Sequence, residues 1–316
     1  MRFHPSQLLS TYSILAFDPL TGHMGGAVQT HQMGVGRILP IAAAGYGVIA
    51  SQSLANLHYN SVAIQMLKEG YTPEAILKAL IASDSLEYFR QVAVMDSTGR
   101  IAAHTGKNCI PYADHFVGEH FSVQANMMTR NTVIPAMRSA YENATGDLAH
   151  RMLAALQAAQ SEDGDIRGMQ SAALIVVSQD MNASPLEKIY DIRVDESAQT
   201  IQELGRLLRF RYAQLLDEQG NQKLADHQLE EALALWRLAR ETAPELEEIA
   251  YWQALTLADE LPFENAIELA VGILRESVQT DERWTHWLEL IKRLHNCGFL
   301  KRQSSAQELL AALESK

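Results

Sequence analysis

The 316-residue chain is 47% hydrophobic and 20% charged, which suits about two packed domains and excludes disorder as the main state. Its formal net charge of −12 excludes a general binder of nucleic acid or of an anionic membrane surface, because both need a basic face. Cys109 and Cys297 make no CxxC motif and no disulfide framework. The longest nearly apolar run, Ile38–Ala50, is too short for a bilayer and is interrupted by Pro40, Gly45 and Gly47. The first ten residues lack the apolar stretch of a signal peptide, so a cytoplasmic protein is expected.

In chain order, Tyr12–Asp18 and Gly25–His31 read as a hairpin around the turn Pro19–Gly22. Ile38–Ala43 and Tyr46–Ser51 read as a second pair. Apolar residues at helical spacing predict a helix over Leu54–Glu69, and Thr72-Pro73-Glu74 opens another that runs to Ala82. Strands return at Arg90–Asp96, Arg100–His104 and Phe121–Asn126. Helices over Thr132–Asn143 and Gly146–Gln160 follow, then strands at Ser171–Ser178 and Lys188–Val194. From Thr200 the periodicity is helical, over Ile201–Glu218, His227–Thr242, Glu245–Glu260, Glu264–Val278 and Arg283–Asn296.

Strand groups alternate with helix pairs, and hairpins without crossovers imply antiparallel sheets. The expected fold is α+β: a four-layer αββα sandwich over residues 11–199, an N-terminal extension over 1–10, and an all-α domain over 200–316. Small and aromatic residues in the tail are reminiscent of paired-helix repeats, with no full consensus.

Walker, HExxH, GxSxG and kinase motifs are absent. Asp114, His115, Glu119 and His120 cluster in ADHFVGEH, but Gly118 and the flanking pattern favour a polar loop over a metal site. Neither a metal nor a cofactor is expected. Thr11 stands at the start of the first strand. A threonine there is ordinarily a β-former. If the chain were cut after Ser10, however, Thr11 would carry both a hydroxyl and a free α-amine able to take its proton.

Several stretches share one resemblance: TYSILAFDPLTGHMGGAVQTHQMGVG, GYGVIASQSLANLHY, RQVAVMDSTGRIAAHTG, FSVQANMM, GDIRGMQSAALIVV and YDIRVD. In this order over residues 11–195 they resemble the family called domain of unknown function 1028, which is grouped with the N-terminal-nucleophile hydrolases. The resemblance implies the same αββα fold. Residues 244–294 are similar to a small module often attached to this family and labelled peptidoglycan-binding; an oligomerisation or lid element is the alternative for an acidic helical tail.

Members of the family commonly place the residue matching Thr11 directly after the initiator methionine, whereas here Met1–Ser10 precede it. The resemblance implies Thr11 as nucleophile after removal of residues 1–10. His31 matches a lysine or histidine position, as a cation beside Thr11 or as a strand-end histidine satisfied by backbone. Gln124 and Asn126 match an oxyanion-donor stretch, or serve as plain sheet-edge amides. Asp165, Arg167, Gln170 and Ser171 form the GDxRGxQS stretch; Arg167 binds a substrate carboxylate or simply pairs with Asp165. Gln52 and Asn56 are expected at the same mouth.

The expected activity is hydrolysis of a small amide or acylated amino compound, with a homo-oligomer as assembly. A non-catalytic binding protein on the same fold, or a cell-wall-associated protein acting through the tail, are the alternatives.

Overall fold

The computed structural model describes residues 8–184, 187–260, 265–278, 281–302 and 304–314. Two antiparallel sheets form the first part of the chain. One is five-stranded, with β1 (Leu8–Leu9), β5 (Gly47–Leu54), β6 (Arg90–Asp96) and β7 (Ile101–Thr105) in that order, and β4 (Ile41–Ala43) also paired with β5. The other is six-stranded, in the order β11 (Tyr190–Val194), β10 (Ser171–Ser178), β3 (His23–Thr30), β2 (Thr11–Asp18), β9 (Phe121–Asn126) and β8 (Asp114–Val117).

Side chains alternate along each strand, and the alternation explains the core. Leu15 and Phe17 of β2, Met24 and Val28 of β3, and Ala173 and Val177 of β10 pack with Val48 and Ala50 of β5 and Ala93 and Met95 of β6. One cluster therefore joins the facing sides of the two sheets. Continuing the same alternation toward the other end of these strands gives Ser13 and Thr11, Gln52, and Gln91. The interior layer thus changes from apolar to polar along its length.

Helices α1 (Leu57–Lys68) and α2 (Pro73–Ala82) place Tyr59, Ala63, Leu67, Ile76 and Leu80 against Ile49, Val92 and Val94, the opposite face of the first sheet. Helices α3 (Val133–Asn143) and α4 (Leu148–Ser161) pack on the second sheet, where the buried Tyr12 hydroxyl donates to Gln160 Oε1 at 3.0 Å. Their caps follow ordinary chemistry: Asn56 accepts from the His58 amide, Thr72 from Ala75 and Asp147 from His150.

The chain divides into two compact units, residues 1–208 and 209–316, and the division falls inside helix α5 (Thr200–Ala225). The second unit is helical, with α6 (Leu229–Thr242), α7 (Glu247–Glu260), α8 (Ala266–Ser277), α9 (Asp281–Asn296) and α10 (Ser305–Glu314). Its core centres on the fully buried Trp236 and Tyr251 with Ala254, Ala258, Ala270 and Leu309. Asp259 ties α7 to the α10 entry by accepting from the Lys301 and Arg302 amides and the Ser305 hydroxyl.

Several expectations need correction. Of the segment expected as strand Ile38–Ala43, only Ile41–Ala43 is strand, and a 3-10 turn over Val35–Arg37 precedes it. Tyr46–Ser51 continues as strand to Leu54, so α1 starts only at Leu57, after its Asn56 cap. The expected loop in ADHFVGEH contains strand β8. Helix α5 runs on to Ala225, and α10 was not anticipated. No helix among the described residues is long and apolar enough to cross a membrane.

Candidate active site

The polar end of the inter-sheet layer is built around Ser10 and Thr11. β1 lies in one sheet and β2 in the other, so Ser10 alone carries the chain across the gap. Ser10, Thr11, Ser13, Thr30, Gln52, Gln91 and Asn126 are all fully buried. Thr11 is in register with Thr30 on one side and Asn126 on the other.

The Ser10 carbonyl oxygen accepts two hydrogen bonds. One comes from the Thr30 hydroxyl and the other from the Arg167 guanidinium at 3.4 Å. Arg167 is itself aimed by Asp165, with Nε to Oδ1 at 3.2 Å and Nη2 to Oδ2 at 3.1 Å. Asp165, whose side chain is fully enclosed, also accepts from the Arg167 and His31 backbone amides. Held on this enclosed carboxylate by two side-chain bonds, the guanidinium is fixed in place.

The next carbonyl, that of Thr11, accepts from Gln52 Nε2 at 3.3 Å and Asn126 Nδ2 at 3.5 Å. Both amides are held from behind by Gln91, whose Oε1 accepts from Gln52 at 2.7 Å and from Asn126 at 3.0 Å. Gln91 Nε2 in turn lies within donating distance of the Thr105 hydroxyl and the Asp114 and Ala125 carbonyls. The Thr105 hydroxyl is 2.8 Å from His115 Nδ1. Which of the two donates is set by the tautomer of the His115 ring. Burial lowers the His115 pKa, which agrees with a neutral ring. Gln124 joins through Ser13: Gln124 Nε2 donates to Ser13 Oγ at 2.9 Å, and Ser13 donates to Gln52 Oε1 at 2.7 Å.

Among the residues singled out in the sequence, the structure brings Thr11, Gln52, Gln124, Asn126, Asp165 and Arg167 together. His31 joins by its backbone amide on Asp165; its ring Nδ1 is buried without a partner among the described residues. Gln170 and Ser171 sit beside Thr30 at the head of β10: the Gln170 amide donates to the Thr30 carbonyl at 3.2 Å. Ser171 instead pins the β3 exit loop, donating to the Gln32 carbonyl and accepting from the Val35 amide. Asn56 is not in this cluster. Its side chain caps α1 and donates to Asp84 at 3.3 Å.

Gln91, Ser13 and Thr30 are not singled out by the sequence, and Thr105 lies in a matching stretch without an expected role. The signal for Gln91 was present: it alternates with Ala93 and Met95 on the core-facing side of β6, where a carboxamide is out of place unless it is fully bonded. His115, weighed as a metal ligand, instead bonds Thr105.

A crystal structure of a protein from Silicibacter pomeroyi, described as a member of the family of unknown function DUF1028, is 32% identical with a TM-score of 0.57, and the match covers 64% of this chain and 85% of that one. None of the curated proteins matches this chain. The model of the family of unknown function DUF1028 matches residues 11–204, beginning at the threonine around which the buried cluster is assembled, and the chain belongs to that family.

Proposed function

We propose that this protein is an N-terminal-nucleophile amide hydrolase of αββα type, with Thr11 as nucleophile once residues 1–10 are released. The observation that carries the reading is the treatment of the Ser10 carbonyl. It is the bond that must break, and it is held by a hydroxyl and by a guanidinium locked on a buried carboxylate. Donors fixed on a carbonyl oxygen stabilise the negative charge that develops there when the carbon is attacked. The layer order of helices, two facing sheets and helices supports the fold half of the reading.

Release is written as an acyl shift. The Thr11 hydroxyl oxygen attacks the Ser10 carbonyl carbon, the C–N bond breaks, and the nitrogen leaves as the Thr11 α-amine with the hydroxyl proton. Water then hydrolyses the Ser10–Thr11 ester, giving a Ser10 carboxylate and regenerating the hydroxyl. The same atoms serve an external amide. The α-amine takes the Thr11 proton during attack and passes it to the leaving amine. The acyl-threonine ester is hydrolysed by a second water. Asn126, the register partner of Thr11, has a buried Oδ1 without a partner among the described residues, an acceptor suited to the new ammonium.

Intact mass and N-terminal sequencing of the wild-type chain and of Thr11→Ala test the reading. Wild type beginning at Thr11, an intact Thr11→Ala chain, and amide hydrolysis by the first alone would support it. An uncut wild-type chain, together with no hydrolysis by a chain made to begin at Thr11, would overturn it. The fully buried, peptide-bonded Thr11 favours the alternative of a non-catalytic binding protein in that case.

A further inference from the structure

The residues before Thr11 do more than precede the bond. β1 pairs antiparallel with the end of β5, Leu8 opposite Leu54 and Leu9 opposite Ser53. Ser53 is also opposite Arg90 of β6, so β6 fills one edge of β5 and β1 the other. β4 occupies that second edge only over Gly47–Ile49. The stretch of edge nearest Thr11 is therefore filled by residues 8 and 9.

Two residues around this place hold backbone conformations that side chains rarely adopt. Ser53, the partner of Leu9, has φ 66°, and Met127, just after the Asn126 partner of Thr11, has φ 58°. Non-glycine residues held in this region are strained and gather at active sites and ligand clamps. Ser10, between them, is fully enclosed, and its hydroxyl donates to the Asn126 carbonyl at 3.2 Å.

We infer that the edge of β5 at Ser53–Leu54 is the binding slot for the acyl side of an extended peptide, and that the substrate class is a peptide amide cleaved after a small hydroxylated residue. This rests on the hydrolase reading given above. In the uncut chain, residues 8–10 occupy the slot as a tethered substrate. After release, an external strand takes their place by main-chain pairing. Recognition through the backbone tolerates many side chains at the two residues before the last. The enclosed Ser10 position, with the Asn126 carbonyl as acceptor, selects a small hydroxyl residue next to the broken bond.

The test uses the intact chain and the chain beginning at Thr11, each checked for cooperative unfolding. The probes are acetyl-Leu-Leu-Ser anilide, the same anilide with both leucine nitrogens methylated, acetyl-Ser anilide, and the free acid acetyl-Leu-Leu-Ser. The expected result is that the Thr11 chain binds the free acid in calorimetry and the intact chain does not. The unmethylated tripeptide anilide should exceed the other two in kcat/KM by about tenfold or more, since strand pairing contributes at least the ~1.4 kcal/mol that a factor of ten represents. Binding of the acid without turnover of any anilide keeps the slot and removes the hydrolase. Equal turnover of all three anilides without binding of the acid keeps the hydrolase and overturns the slot. Neither binding nor turnover overturns both. If the Thr11 chain does not fold, release in the intact chain decides: Ser10→Ala should still be cut and Ser10→Trp should not, and equal cutting of both overturns the enclosed position.

Discussion

Asp165 holds Arg167 by two side-chain hydrogen bonds, and in that grip the guanidinium reaches the Ser10 carbonyl. Arg167→Met removes a charged donor from the oxygen where charge would develop. Release of residues 1–10 is expected to slow by about 10²-fold or more, the usual loss for one such donor. Arg167→Lys should recover part of the rate and Asp165→Asn should fall between. Mass spectrometry over time, with unfolding temperatures measured alongside, separates lost chemistry from lost folding.

Gln91 touches neither Ser10 nor the Thr11 carbonyl, yet it holds both amides that do touch the latter. Gln91→Met keeps the length and removes the hydrogen bonds. The Asp114 and Ala125 carbonyls and the Gln52 and Asn126 amides then lose a buried partner. A stability loss of about 2 kcal/mol or more is expected in urea unfolding, because unsatisfied buried groups cost about 1–3 kcal/mol each before any relaxation.

Asp84 and Arg90 form an enclosed ion pair at 2.8 Å, where α2 meets β6. Burial pushes the Asp84 carboxyl up, but hydrogen bonds from Arg90, the Leu86 amide and Tyr59 outweigh it and hold the pKa at about 2. A carboxyl depressed in the folded state stabilises the fold above its unfolded pKa, and that stabilisation is lost as the pH falls. Roughly 2 kcal/mol should disappear between about pH 4 and pH 2. Asp84→Asn is expected to flatten this part of the acid-unfolding curve. It should also destabilise the protein at pH 7 by about 3 kcal/mol, since Arg90 is left buried without its counter-ion. Urea midpoints across the pH range check both effects.

Gly220 lies within α5, where alanine normally gains about 0.5–1 kcal/mol. Here a Cβ would stand 2.3 Å from Cδ1 of the fully buried Trp236. Gly220→Ala is therefore expected to destabilise the helical unit by about 1–3 kcal/mol. A thermal scan that shows a rise instead would mean that Trp236 can move aside.

The order of elements along the chain was legible because hairpin turns and period-two patterns are local signals. That β2 lies beside Gln124 and Asn126 was legible only through the resemblance, since cross-strand register depends on pairings more than a hundred residues apart in sequence. β1 was invisible for a physical reason: a two-residue strand has no period. β8 was hidden because it is four residues long, half polar and exposed at both ends, which reads as loop when considered alone. Asn56 was misplaced because one asparagine can line a cleft or cap a helix, and the helix start three residues later than expected decided for the cap. Gln91 is masked by the apolar pattern of β6, although its one core-facing amide is the informative residue.

The crossing between the sheets by Ser10 alone sets a gauge. Strands advance by about 3.3 Å per residue. One residue added or removed between Leu9 and Thr11 would shift the carbonyl by about that distance while Thr30 and Arg167 stay where β3 and the Asp165 loop hold them. The spacing of this segment is thus as constrained as the enclosed Ser10 itself: its length is a fixed ruler between two sheets, and chains that differ in that length lose the alignment even when every residue of the cluster is kept.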